Sequence, residues 1–298
     1  MTVQPAAEPA SLDPCVIALD QEVARAYAAF LIRCKTTDSI DSRQKYCAES
    51  GVHPKLLYNN PHFEALKAIF GNTSNFERLK NTSLWDWTLY HHHYVHQAYR
   101  YGDPKMQQRW MGHDILKNPL DCWIYQELMH DIKPDFVIEL GIMFGGATHF
   151  YASLCDLIDH GQVLGVDIDI SKVKSIQNSR IQLIEGSSTS SETFERVKKI
   201  VNGGTVLVIA DSDHEKNHCL GELRLYSQLV TLGSYFVMED SLNDPMHWHP
   251  VPNEGPQAAA LAFLGENTSF VADRRYAERY LLSLNPSGYL KRIGSQGL

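Results

Sequence analysis

The sequence predicts an α/β fold: a doubly wound, mainly parallel sheet with an antiparallel C-terminal edge and a helical N-terminal appendage. After Pro134, short runs rich in β-branched residues alternate with stretches of helical length. Strands that alternate with helices in this way are typical of a parallel sheet covered on both faces. The predicted strands are Phe136–Leu140, Val163–Val166, Ile181–Ile184, Val206–Ala210 and Tyr235–Met238, and the helical stretches lie at 146–159, 171–178, 191–201 and 216–230.

Further elements frame this sheet on both sides. Residues Asp121–His130 predict a helix before the first strand, and Thr189 with Glu192 has the spacing of a capping box for the helix that follows. The last two β-rich runs, Ser269–Ala272 and Tyr280–Leu284, have no long helix between them. We therefore expect these two runs to form the antiparallel edge.

The N-terminal part of the chain follows a different pattern. Apolar side chains recur at helical spacing in Asp20–Cys34. We predict that residues 1–115 form a mainly helical appendage, which serves as a lid or an oligomerisation surface, and that residues 116–298 form the sheet domain. The tract His91–His93 with His96 falls within this appendage. Because three consecutive residues cannot share one helix face, a single-metal site is disfavoured there and a surface or lid role is expected.

The composition excludes several classes of partner. The chain has 298 residues and a formal net charge of -8, which argues against nucleic acid or an anionic membrane surface. No apolar run reaches about 18 residues, so no membrane span is predicted, and the N-terminus lacks the pattern of a secretion signal. The six cysteines are scattered without a Cys-x-x-Cys pair, which indicates reduced thiols and a cytoplasmic protein.

Two of the predicted strands lead directly into acidic clusters. The groups that follow them are Asp211, Asp213, His214, Glu239 and Asp240. Because the carboxyl ends of parallel strands meet at one edge of the sheet, we expect these groups to lie close together. Carboxylate oxygens suit a hard divalent cation such as Mg²⁺, and a histidine beside them can act as a general base. The alternative is a set of solvated turn residues, but the apolar strands before them favour a central, buried position.

The ends of the other three strands offer small or polar groups at the same edge. These are Glu139, Gly141 and Gly145, then Asp167 and Ile168, then Ser187 and Ser188. Glycines at a strand-to-helix turn let the backbone approach a ligand closely, although tight packing explains them equally well. The acid can accept hydrogen bonds from ribose hydroxyls or cap a helix, and the serines can line an adenine pocket or start a helix. The spacing is not Gly-x-Gly-x-x-Gly, so a dinucleotide fingerprint is not supported.

In their order and spacing these residues together resemble the cephalosporin hydroxylase/rhamnosyl O-methyltransferase family. The match also includes Lys117–Glu127 before the first strand and Leu282–Leu290 near the end, and it covers roughly residues 110–293. The resemblance implies the Rossmann-like fold of the S-adenosylmethionine (SAM) methyltransferases, with residues 116–298 as the methyltransferase domain.

The resemblance also implies a role for each matching position. SAM would be bound by Glu139, Gly141, Gly145, Asp167, Ile168, Ser187, Ser188 and Asp211. Mg²⁺ or a similar divalent cation would be held by Asp211, Glu239 and Asp240, and His214 would be the catalytic base. Asp213 is not expected to be a ligand.

We therefore expect a SAM-dependent and Mg²⁺-dependent O-methyltransferase that forms a homo-oligomer. Its acceptor would be a hydroxyl of a small molecule, on a sugar or another vicinal-diol or catechol-like group of a natural-product intermediate. A component of a hydroxylase system and a non-catalytic partner subunit remain as alternatives. The missing fingerprint disfavours a nicotinamide-dependent oxidoreductase, and three carboxylates disfavour a non-haem iron oxygenase, which uses two histidines and one carboxylate.

Overall fold

The computed structural model describes residues 108–173, 177–243, 254–280 and 282–294, which belong to one compact unit, Asn59–Leu298. The predicted helical appendage, including its histidine tract, therefore lies outside the described residues apart from residues 108–115. There the chain forms an antiparallel hairpin, with strands β1 (Arg109–Trp110) and β2 (His113–Asp114).

A seven-stranded sheet in the order β5-β4-β3-β6-β7-β9-β8 organises the described chain. Neighbouring strands from β5 to β7 are parallel, and β9 runs antiparallel between β7 and β8. The predicted doubly wound sheet with an antiparallel C-terminal edge is confirmed. The strands are β3 (Phe136–Leu140), β4 (Gln162–Asp167), β5 (Ile181–Glu185), β6 (Val206–Ala210), β7 (Tyr235–Met238), β8 (Phe270–Ala272) and β9 (Tyr289–Arg292).

Helices cover both faces of this sheet. They are α1 (Pro119–Ile132), α2 (Gly146–Leu157), α3 (Ser191–Val201), α4 (Lys216–Tyr226), α5 (Pro256–Glu266) and α6 (Arg274–Glu278). Alternate residues of β6 enter the two apolar clusters: Val208 packs on the side of α3, α4 and α5, and Leu207 packs on the side of α1 and α2. Because both faces of β6 are covered, its sequence is a continuous apolar run. None of the helices in the described ranges is both long and apolar enough to cross a bilayer.

The prediction of a strand at Tyr280–Leu284 is wrong. The Oδ2 atom of Asp121, on α1, accepts a hydrogen bond from the Leu284 backbone N–H at 2.9 Å, and its Oδ1 atom accepts one from the Ser283 hydroxyl at 2.6 Å. These polar groups therefore bind a helix side chain instead of a neighbouring strand. The antiparallel strand is β9, which lies further along the chain.

Two helix predictions also need correction. The capping residue of α3 is Ser190, not Thr189, since the Ser190 hydroxyl accepts a hydrogen bond from the Thr193 N–H at 3.1 Å. Of the helix predicted at 171–178, the described residues form only a 3₁₀ turn at Ile170–Lys172. Asp169 closes that turn by accepting hydrogen bonds from both the N–H and the hydroxyl of Ser171.

The sheet order sets the position of the site. The chain moves outward from β3 through β4 to β5, then returns to the other side of β3 with β6 and β7. The strand order therefore reverses between β3 and β6. Ligands of open α/β sheets bind beyond the carboxyl ends of the strands at such a reversal.

Candidate active site

A pocket of about 680 Å³ lies beyond the carboxyl ends of β3, β4, β6 and β7. This volume falls within the usual range of small-molecule sites. All the residues predicted for the cofactor, the metal ion and the base line this pocket, except Gly145. The strand ends that were separate in the sequence are thus brought together in one concave site.

The first strand-to-helix turn depends on two glycines. Gly141 has a φ of +84°, and a Cβ atom there would collide with the backbone of Asp211 and Ser212. Glycine is therefore required both for the turn and for the close approach of β3 to the end of β6. Gly145, with a φ of +80°, precedes α2 as its capping residue and shapes the turn without lining the pocket.

Asp167, at the end of β4, fixes this turn from the neighbouring strand. Its Oδ2 accepts hydrogen bonds from the backbone N–H groups of Ile142 at 2.9 Å and Met143 at 3.0 Å, and its Oδ1 accepts one from Asp169 at 3.0 Å. Each carboxylate oxygen has two acceptor positions, so Oδ1 can still accept a hydrogen bond from a ligand hydroxyl. Ile168 follows with 74% of its surface exposed beside the pocket.

Ser187 and Ser188, after β5, differ in their bonding. The Ser187 hydroxyl lies 3.1 Å from the hydroxyl of Thr189. The buried Ser188 hydroxyl donates to Glu222 at 2.5 Å, and it also lies 3.1 Å from the Nε2 atom of His218. The Glu222 carboxylate accepts a second hydrogen bond, from Ser212 at 2.5 Å, so it ties the end of β5 to the loop after β6.

Glu139 is a buried carboxylate at the base of the pocket. It is 1% exposed and accepts a hydrogen bond from the Thr148 hydroxyl at 2.5 Å. Burial raises the pKa of Glu139 to about 7, because the nearby positive charge of Lys117 and the bond from Thr148 offset only part of the desolvation.

Asp211, His214 and Asp240 form a cluster whose ligand atoms all lie within 4.8 Å of one another. The Nε2 atom of His214 is 3.4 Å from Asp211 Oδ1 and 3.3 Å from Asp240 Oδ2, and it makes no hydrogen bond to any of the described residues. Burial opposes a charge on His214, but the two carboxylates outweigh it and hold its pKa well above the usual value.

Glu239 lies deeper and binds different partners. Its Oε2 accepts a hydrogen bond from the Lys117 ammonium, and its Oε1 accepts one from the Tyr125 hydroxyl. Lys117 also donates to Asp211 Oδ2 at 2.5 Å, so this single ammonium joins two of the three predicted metal ligands. Burial opposes its charge, but Asp211 and Glu239 hold the pKa of Lys117 well above its usual value.

Asn285 supports the second acidic cluster from the C-terminal segment. Its Oδ1 accepts a hydrogen bond from the Asp240 N–H at 2.8 Å, and its Nδ2 donates to the Tyr125 hydroxyl at 3.1 Å. Asp240 has a φ of +52°, a left-handed conformation that aspartate tolerates better than most residues. Asn285 therefore fixes the backbone that carries Asp240 and, through Tyr125, the orientation of Glu239.

Sequence reasoning gave no role to Lys117, Tyr125 or Asn285. All three lie in segments that carry the family resemblance, Lys117–Glu127 and Leu282–Leu290, and that was the only signal available for them. Asp213 is predicted not to be a ligand, and this stays a prediction. It is exposed, and its Oδ1 accepts a hydrogen bond from the Glu215 N–H within its own turn.

The donor set fits a hard divalent cation. Asp211 and Asp240 present carboxylate oxygens on either side of one point, and oxygen ligands are those that Mg²⁺ prefers. The Nε2 atom of His214, which makes no hydrogen bond there, faces the same point. Glu239 is close enough to share Lys117 with Asp211, although both of its oxygens are hydrogen-bonded to protein groups.

Comparison with known proteins places this chain in a defined group. The model of the Rhamnosyl O-methyltransferase/CmcI family matches residues 104–293. The chain is 33% identical over 196 residues to the rhamnosyl O-methyltransferase of Mycobacterium leprae, a match that covers 61% of this chain and 82% of that protein. It is 30% identical over 192 residues to the enzyme of the same name from Mycobacterium bovis, covering 61% and 77%.

Solved structures support the same fold. A CmcI structure with Mg and SAM superposes with a TM-score of 0.52 at 22% identity, covering 63% of this chain and 77% of that chain. A CmcI apo-structure gives a TM-score of 0.51 at 24% identity with the same coverage. At these identities the likeness shows the fold, and the predicted methyltransferase architecture is confirmed.

Proposed function

The chain belongs to the rhamnosyl O-methyltransferase/CmcI family, and from this premise we propose that it methylates a hydroxyl of a small molecule with Mg²⁺ as its metal cofactor. The membership confirms the predicted family and the predicted enzyme class, a SAM-dependent O-methyltransferase. The proposal concerns the acceptor, the metal ion and the roles of individual residues.

One observation carries this proposal: apart from Gly145, the groups expected to hold SAM and those expected to hold the metal ion line the same pocket. In that pocket the turn at Gly141 meets the backbone of Asp211, and this close approach supports cofactor and metal sites that lie side by side. A methyl donor and an activated hydroxyl must be adjacent for transfer, so this arrangement is the one that the reaction requires.

We assign the SAM site to the β3, β4 and β5 ends of the pocket. Glu139, Gly141 and Gly145 would shape the turn that faces the methionine part, and Asp167 would accept the ribose hydroxyls through its remaining acceptor position. Ile168, Ser187 and Ser188 would flank the adenine. Asp211 would border both the cofactor and the metal ion, because it follows β6 next to Gly141.

We assign the metal ion to Asp211, Glu239 and Asp240. When bound, SAM supplies a sulfonium methyl group, and Mg²⁺ lowers the pKa of the acceptor hydroxyl and orients it. Asp211 and Asp240 offer carboxylate oxygens directly at the cluster. Glu239 would add a third carboxylate, whose oxygens accept hydrogen bonds from Lys117 and Tyr125 in this structure.

His214 is proposed as the base. Its Nε2 atom faces the cluster. A metal ion on Asp211 and Asp240 would offset the charge that keeps this imidazole protonated, and the neutral ring would then take the proton from the acceptor hydroxyl as the new C–O bond forms. Asp211 and Asp240 on either side stabilise the imidazolium that results, which is the physical cause of the raised pKa of His214. The same two acids would then position both the metal ion and the base.

The acceptor is proposed to be a vicinal hydroxyl of a sugar or of a catechol-like ring in a natural-product intermediate. Two neighbouring oxygens can bind one metal ion together, and the relatives are named for a rhamnosyl acceptor. The cytoplasmic location and the homo-oligomer are part of the same proposal. Three described cysteines, Cys122, Cys155 and Cys219, are free thiols, as expected in a reducing compartment.

The test is transfer of a labelled methyl group from SAM to a panel of rhamnosides and catechols, each paired with its mono-deoxy analogue. We expect methylation of a vicinal diol that EDTA lowers by about 100-fold or more and that Mg²⁺ restores. Full turnover in EDTA would contradict the metal role. Tight SAM binding without transfer to any acceptor would favour the alternative of a non-catalytic partner subunit.

A further inference from the structure

We propose that Lys117 is an internal cation that competes with the divalent ion for the carboxylate oxygens of Asp211 and Glu239. This inference rests on the proposed metal centre and adds a residue that lowers the affinity of that centre for the divalent ion. In this view the site always contains a positive charge, and the metal ion binds by replacing the ammonium at these two oxygens.

The hydrogen bonds of Lys117 identify the oxygens for which the ammonium and a divalent ion would compete. The Lys117 Nζ atom donates to Asp211 Oδ2 at 2.5 Å and also to Glu239 Oε2. The other Glu239 oxygen accepts from Tyr125, so both oxygens of this carboxylate are hydrogen-bonded to protein groups. A metal ion that uses Glu239 as a ligand must therefore take an oxygen from Lys117 or from Tyr125.

The position of Lys117 is built into the fold. The next residue, Asn118, caps α1 by accepting a hydrogen bond from the Leu120 N–H, and its side chain donates to Asp121 and to the Leu282 carbonyl. The Lys117 side chain is 5% exposed. This lysine is thus a fixed part of the pocket wall, unlike a surface lysine that reaches a carboxylate by chance.

The charges explain why such a cation is needed and what it opposes. Asp211, Glu239 and Asp240 converge in a partly buried site, where like charges repel strongly. Lys117 offsets part of this repulsion and keeps two of the carboxylates near each other. The same ammonium occupies the two oxygens that a divalent ion would use, so the ion must displace it, and its binding is weakened.

The test is Mn²⁺ binding to the full chain, measured by electron paramagnetic resonance of the free ion. The neutral variants Lys117→Met and Lys117→Gln should bind Mn²⁺ with a Kd lower by about tenfold or more, because a like charge within a few ångströms has been removed. Lys117→Arg keeps the charge and should therefore not tighten Mn²⁺ binding by more than about threefold relative to wild type. The exposed Lys198→Met controls for the change in net charge and should not alter the Kd.

The outcomes separate this inference from the proposed function. If wild type binds Mn²⁺ and the neutral variants bind it equally or more weakly, the competition is refuted and the metal centre stands. If neither wild type nor any variant binds Mn²⁺, both are refuted. A second measurement needs no variant: the structure of a wild-type crystal soaked in Mn²⁺. We expect the Lys117 ammonium to have broken its hydrogen bonds to Asp211 and Glu239 in that structure. An ion bound while Lys117 keeps both bonds would refute the competition.

Discussion

The carboxylates of the pocket are similar in sequence but differ in their surroundings. Glu139 is buried and binds Thr148, Glu239 is buried between Lys117 and Tyr125, and Asp240 lies closer to solvent. Their partners, more than the acids themselves, decide which carboxylate is ionised and which can bind a metal ion.

The raised pKa of Glu139 predicts a pH-dependent effect of the change Glu139→Gln. The pKa of this carboxyl is about 7, above the ordinary 4.5, so the folded state favours the protonated form. Its contribution to the free energy of unfolding is therefore present at low pH and is lost as the pH rises through about 7. Glutamine resembles the protonated form and should remove this loss.

Chemical denaturation at pH 5 and pH 8 measures this effect. Relative to wild type, Glu139→Gln should gain about 2.5 kcal/mol of stability between pH 5 and pH 8, from roughly 1.4 kcal/mol per unit of pKa shift, because part of the loss already lies below pH 5. Glu185→Gln, at the exposed end of strand β5 in the same sheet, is the matched control and should gain nothing. An equal effect of Glu139→Gln at both pH values would contradict the account.

For the individual residues of the site, the acids could be predicted from the sequence, but their hydrogen-bond partners could not. Asp211 and Glu239 follow apolar strands, and parallel strands present such residues at one edge. Tyr125 and Asn285 reach the same site from elements 160 positions apart in the chain. No local pattern encodes a contact of that kind, and an isolated lysine before a helix is usually a surface residue.

Among the elements, α1 and the C-terminal segment form one unit through Asp121. This buried carboxylate accepts hydrogen bonds from Ser283 at 2.6 Å, Leu284 at 2.9 Å and Tyr289 at 2.7 Å. The segment that it holds contains Asn285, which in turn binds Asp240. The start of α1 thereby helps to position the acidic cluster.

This arrangement predicts a large effect of the change Asp121→Ala. Removing the carboxylate leaves several buried donors without an acceptor, so the free energy of unfolding should fall by on the order of 3 kcal/mol. Urea denaturation followed by circular dichroism measures it. Asp131→Ala, an exposed acid on the same helix, should change stability by less than about 0.5 kcal/mol. Similar losses in the two variants would show that Asp121 has no special role.

The strands of the parallel sheet were predicted well because their apolar runs are short and continuous. The predicted bounds Val206–Ala210 and Tyr235–Met238 agree with β6 and β7. The edge strand was misplaced because Tyr280–Leu284 has a β-rich composition, while its polar backbone groups bind α1. Composition does not show whether a backbone N–H meets a strand or a side chain.

For the whole molecule, the sheet order matters most. The reversal of strand order beside β3 brings the ends of β4 and β5 to one side of the pocket and those of β6 and β7 to the other. The proposed cofactor half and metal half therefore meet next to β3. Family membership and this topology support a methyl transfer that uses both halves at once.

The most direct test of this central claim compares Asp211→Asn with Asp213→Asn, two isosteric changes in the same loop. Asp211 belongs to the cluster with His214 and Asp240. Asp213, also on the pocket wall, is exposed, and its side chain accepts a hydrogen bond from the Glu215 N–H in its own turn, which asparagine can also do. With an acceptor found in the panel, kcat for Mg²⁺-dependent methyl transfer should fall by about 100-fold or more in Asp211→Asn and stay within about twofold of wild type in Asp213→Asn. Undiminished Mg²⁺-dependent transfer by Asp211→Asn, or an equal loss in both variants, would contradict the account.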